Sequence, residues 1–86
     1  YTNTGEPQKA LEVYNQALPI HRRNGNRPFE ANTLMGMAMV YTNTGQYLKA
    51  LQVLSPALSL HRQTGDTKGE AATLTSIGIL NLGLGR

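Results

Sequence analysis

Residues 41–80 read YTNTGQYLKALQVLSPALSLHRQTGDTKGEAATLTSIGIL, and residues 1–40 carry nearly the same text one period earlier. Laid over each other without a gap, the two blocks are identical at 18 of 40 positions. The identities cluster: Tyr-Thr-Asn-Thr-Gly from Tyr1 and Tyr41, Lys-Ala-Leu from Lys9 and Lys49, Ala-Leu from Ala17 and Ala57, His-Arg from His21 and His61, Thr-Leu from Thr33 and Thr73. A fixed period in the range of about 20–50 residues marks a repeat array, in which each unit buries its apolar face only against its neighbours. Function is then expected on a repeated surface rather than in a single catalytic pocket. The units run 1–40 and 41–80, with the start of a third at 81–86.

Each period holds two helical stretches. Ala50, Leu51, Leu54, Ala57 and Leu58 recur at three- and four-residue spacing, as do Ala10, Leu11, Tyr14, Ala17 and Leu18 one period earlier, which places each set on one helical face. Ala71, Leu74, Ile77, Gly78 and Leu82 form a second stripe, matched by Ala31, Leu34, Met37, Ala38 and Tyr41. Gly5, Gly25, Gly45 and Gly65 fall every twenty residues, where a left-handed residue can end a helix without a Cβ clash. Asp66 and Thr67 stand where an N-cap is wanted, and Thr67 with Glu70 reads as a capping box; Asn26 and Pro28 are the matching start signals. His21, Arg22, His61 and Arg62 fall in last turns, where positive groups suit the helix dipole and histidines are expected to be solvated. The helices are predicted near 7–24, 27–43, 46–64 and 67–84.

Leu34, Met37, Ala38, Tyr41, Gly45, Tyr47, Ala50, Leu54 and Ala57 together resemble the tetratricopeptide repeat in spacing. The first block continues the likeness through Tyr1, Gly5, Ala10, Tyr14 and Ala17, the end through Leu74, Ile77, Gly78 and Gly85. The usual unit has 34 residues. Here it has 40, because the second helix of the unit runs on through Ile20–Arg23 and Leu60–Gln63. That longer unit is similar to the repeats of kinesin light chains, of the Leu-Gly-Asn-rich spindle-orientation adaptors, and of bacterial and cyanobacterial arrays joined to caspase-like or nucleotide-binding signalling domains. The resemblance implies an all-α superhelix of antiparallel helix pairs, an α-solenoid of about four helices here.

Some positions depart from the family pattern. Pro7 replaces the aromatic after the turn glycine, Asn81 replaces the tyrosine seen at Tyr41, and the proline that usually closes the unit is missing. Pro7 falls in a first helical turn, where a missing N–H is no loss. Pro19 and Pro56 lie inside helical stretches and are expected to bend them, with a hinge or a Ser55-Pro56 phosphorylation switch as other readings of Pro56. Ala50 and Gly78 are expected where helices approach closely.

In tetratricopeptide arrays the first helix of each pair lines a concave groove that takes an extended peptide or a partner helix. Carried over position by position, the resemblance points to Asn32, Met35, Met39, Thr42 and Asn43 on the second helix. On the fourth it points to Ala72, Thr75, Ser76, Ile79 and Leu82, with Asn3 at the amino end. This lining is amide, hydroxyl and apolar, without the basic clamp with which some family members grip a terminal carboxylate. Asn3 and Asn43 could pair with the N–H and C=O of an extended peptide, or cap a helix end locally. Helical spacing turns Met37 toward the core and leaves Met35 and Met39 as adaptable groove contacts.

Composition excludes several other classes. The chain has no cysteine, hence no disulfide or thiolate metal site, which suits a cytoplasmic protein. No stretch approaches the roughly 18 apolar residues of a membrane span, so no membrane partner is expected. The net charge of +3 comes from eight scattered Lys and Arg against five acids, with no basic run, so nucleic acid is not an expected partner. His21 and His61 are one repeat apart, too far to share a metal, and no Ser, His and acid set recommends an enzyme. Gly83-Leu84-Gly85 follows a helical pattern rather than a strand, so it is not a phosphate loop. No cofactor is called for.

The reading that results is a protein–protein interaction scaffold, a fragment of a longer array binding a protein or peptide. The alternatives are a regulatory arm of a signalling protein whose catalytic domain lies outside this chain, or a self-association module. The last draws on Leu74, Ile77, Ile79, Leu80, Leu82 and Leu84, apolar over most of a helix circumference, which are expected to make a homo-oligomer through unpaired terminal helices.

Overall fold

A computed structural model describes residues 6–85. They form four helices: α1 (Glu6–Arg23), α2 (Arg27–Asn43), α3 (Tyr47–Thr64) and α4 (Thr67–Gly83). All four lie within one or two residues of their predicted spans. The fold is all-α, each helix packing on the next in the chain, with the most extensive pairing between α2 and α3. Pro19 and Pro56 remain inside α1 and α3, which continue through them.

The turns repeat one backbone solution. Gly25, Gly45, Gly65 and Gly85 all have φ between 65° and 77°, in the left-handed region that favours glycine. At each of the first three the next amide reaches back five residues: Asn26 N donates to His21 O at 2.9 Å, Gln46 N to Tyr41 O at 2.7 Å and Asp66 N to His61 O at 2.9 Å. Gly5 lies outside the described residues.

The core forms two adjoining clusters. Leu18, Ala31, Leu34, Met37, Ala57 and Leu60 lie where α1, α2 and α3 meet. Ala38, Ala50, Leu54 and Leu80 lie where α2, α3 and α4 meet, with Tyr41, Tyr47 and Ile77 packed against them. Ala50 is fully buried, as a small residue at a close helix crossing should be.

Four local expectations are corrected. The N-cap of α4 is Asp66, whose Oδ1 accepts from Gly69 N at 2.9 Å; Thr67 is already helical, and Glu70 turns to Arg62 instead of closing a capping box. His61 is not solvated but 4% exposed, its Nδ1 3.4 Å from Asp66 Oδ2. Gly78 is not at a close approach, since a Cβ there would meet nothing within 4 Å. Leu80 is not part of an exposed apolar surface but lies in the second cluster. At His61, Gly78 and Leu80 the outcome depended on which neighbour stands opposite, which helical phase does not contain.

Candidate partner-binding groove

Helices α2 and α4 both pack on α3, and they touch where Thr73, a buried hydroxyl, lies 3.2 Å from Met35 Sδ. Beside this contact is a hollow of about 430 Å³ lined by Asn32, Met35, Met39, Thr42, Asn43 and Ser76, with Gly36, Ala38 and Leu54 also contributing. None of these side chains is charged. Recognition here would therefore rest on hydrogen bonding, dispersion and shape, and would depend little on salt.

The polar groups are not equally free. Thr42 Oγ1 donates to Ala38 O at 2.8 Å, and Thr75 Oγ1 to Ala71 O at 2.9 Å, so each hydroxyl proton is committed to its own helix and only oxygen lone pairs face outward. The end of α2 is closed by Thr44, whose amide and hydroxyl both donate to Val40 O. Asn43 is therefore not the local cap. Its amide enters none of the side-chain hydrogen bonds among the described residues, and neither does that of Asn32. Each is exposed and retains a donor and an acceptor for an incoming backbone.

The remaining carried-over positions fall elsewhere. Ala72, Thr75, Ile79 and Leu82 are exposed on α4 but do not line this hollow. Asn3 lies outside the described residues. Met37 is buried in the first cluster, whereas Met39 is exposed.

Two glycines matter that sequence reading did not single out. At Gly36 a Cβ would lie 2.6 Å from Cζ and Oη of Tyr14, so the Tyr14 ring of α1 rests directly on the α2 backbone. At Gly69 a Cβ would collide with Nδ1 and Cε1 of His61. A glycine inside a helical pattern costs about 1 kcal/mol against alanine, yet Gly78 is as helical as Gly36 and Gly69 and nothing approaches it, so spacing alone does not separate the three.

No helix among the described residues is long and apolar enough to cross a membrane. The sequence matches the family model described as tetratricopeptide repeat twice, over residues 1–53 and over residues 29–86. No curated protein and no solved structure matches the chain.

Proposed function

Because this chain belongs to the tetratricopeptide repeat family, whose repeats generally mediate protein–protein interaction, we propose that it is a scaffold binding an uncharged, extended peptide segment beside α2. The observation that supports this most directly is the pair of free amides, Asn32 and Asn43, around a hollow otherwise walled by thioethers, alkyl groups and hydroxyls. An amide can accept from a peptide N–H while donating to a C=O, so two of them fix strand direction and register. Met35 and Met39 supply adaptable apolar contact for side chains of differing shape. Ile79, exposed on α4, offers a further apolar contact outside the hollow. Repeats of this family are typically non-catalytic, and binding is the activity assigned.

Panning a random peptide library on the protein, with the Met39→Glu/Ile79→Glu variant as counter-target, tests this reading. Both side chains are exposed, so the variant should keep its helicity by circular dichroism. Enriched peptides should be poor in charge and bind the variant at least about tenfold more weakly, since two carboxylates would be set against apolar groups. Enriched peptides that bind wild type and variant equally would place recognition on another face.

A further inference from the structure

The turns at Gly25, Gly45 and Gly65 differ in the residue that stands before the glycine. Thr44 and Thr64 precede Gly45 and Gly65, and each hydroxyl donates back into its helix, Thr44 Oγ1 to Val40 O at 2.9 Å and Thr64 Oγ1 to Leu60 O at 3.0 Å. Before Gly25 the residue is Asn24. It is exposed, and its amide enters none of the side-chain hydrogen bonds among the described residues. The side chain over this turn is therefore unbound, and it carries an electrophilic carbonyl carbon in place of a hydroxyl.

Asn24 is also the one asparagine in the sequence that is followed by glycine. Every other asparagine precedes a residue with a Cβ, which crowds the approach of its side-chain carbonyl to the next amide nitrogen. Gly25 sets no such barrier, and the space around it is open: it is exposed, and even a Cβ built there would meet nothing within 4 Å.

We infer that Asn24–Gly25 is a site of spontaneous deamidation, and that its isoaspartyl product releases the α1–α2 turn. The Gly25 nitrogen, having given its proton to base, attacks Asn24 Cγ. The new N–Cγ bond closes a five-membered succinimide, the Cγ–Nδ2 bond breaks, and Nδ2 takes up a proton and leaves as ammonia. Water then opens the ring at either carbonyl. Opening at Cγ gives an aspartate in the ordinary chain; opening at the main-chain carbonyl carries the chain through Cβ and Cγ and leaves the other carboxylate as the side group. The net change is a water taken in and an ammonia released, with no oxidant or reductant.

The turn sets the pace of its own modification. Gly25 N donates to Arg22 O at 3.2 Å, and Asn26 N to His21 O at 2.9 Å. Attack needs the first of these bonds broken, so the reaction proceeds from the opened turn. The isoaspartyl link adds a backbone carbon between the two donors and the two acceptors, and both bonds lose their register. These bonds fold α1 back on α2, where Leu18 enters the core. The release is one-way, because hydrolysis does not restore the amide.

Peptide mapping by mass spectrometry of the 86-residue chain, aged in mildly alkaline buffer, should show an acid at position 24 while the other asparagines keep their amides. A synthetic peptide of residues 20–28 should convert at least about tenfold faster, the factor that matches ~1.4 kcal/mol for opening the turn. The isoaspartyl chain, separated by ion exchange, should melt at least about 4 °C below fresh protein. Fresh Asn24→Asp, which has the charge without the added carbon, should lose less than half of that shift. Asn24→Thr, the residue of the other two turns, and Asn24→Gln, whose longer side chain must close a larger ring, should both stay unchanged at this position on ageing. A folded chain that retains the Asn24 amide after weeks, while the peptide loses it, overturns the inference. So does deamidation of another asparagine at the same rate, or an isoaspartyl chain that melts with the fresh protein.

Discussion

Between α1 and α2 the chain turns at Gly25, and between α3 and α4 at Gly65, through the same backbone bonds, yet the two turns treat their histidines in opposite ways. His21 is half-buried and leans on Phe29, ring centroids 5.7 Å apart and tilted by 56°. His61 is buried against Asp66 and the backbone of Gly69, with its Nε2 buried and without a hydrogen-bond partner among the described residues. The difference lies at one counterpart pair, Phe29 and Gly69. A ring at this position holds the histidine outside, and its absence admits the imidazole. The same histidine therefore takes a different place in one turn according to the residue eight positions on.

Exchanging the second solution for the first gives the largest expected effect. Gly69→Phe places a Cβ against the His61 ring and 2.6 Å from Asp66 Oδ2, so it should cost about 1–3 kcal/mol by overpacking. Chemical denaturation would measure it. Adding His61→Ala removes the obstacle, and the double variant should recover at least about 0.5 kcal/mol of the summed single costs, the coupling expected of residues in contact. Strict additivity would show that the two side chains do not compete for one space.

The caps sharpen the comparison at a smaller scale. Asp66 accepts from Gly69 N, whereas Asn26 begins α2 with no side-chain cap bond. Asp66→Ala should therefore cost about 1 kcal/mol, and Asn26→Ala only a fraction of that, by thermal melting. Equal losses at both turns would mean that the Asn26 amide caps α2 in solution.

How much of this was legible depended on whether a feature lies within one helix or between two. The four helices were, because helical spacing and the twenty-residue glycine interval are properties of the chain itself. The burial of Leu34 and the exposure of Leu74 were not, since counterparts in identical helical phase differ only in what stands opposite. Thr73, fully buried, interrupts the apolar stripe with a hydroxyl; donation to Gly69 O at 2.8 Å is what lets it enter the core. In the groove, Asn32, Met35, Met39, Thr42, Asn43 and Ser76 lie around one hollow, but helical phase alone could not say that Thr42 had already spent its proton.

The smallest expected effect is at the feature the two turns share. Arg22 Nε lies 2.9 Å from Glu30 Oε2, and Arg62 Nε 3.0 Å from Glu70 Oε2, each pair joining the last turn of one helix to the first turn of the next. Both charges also suit the helix ends they occupy, the arginine at a C-terminus and the glutamate at an N-terminus. The arginines are more than half exposed, so screening keeps each pair to about 0.2–1 kcal/mol in a double-mutant cycle. Glu30 is 14% exposed and Glu70 31%, which puts the first pair toward the upper end of that range. Both couplings should shrink as salt is raised. If the second instead exceeded the first, the buried imidazole of His61 would have to be holding Arg62 in place, and the two turns would differ in their ion pairs as well as in their histidines.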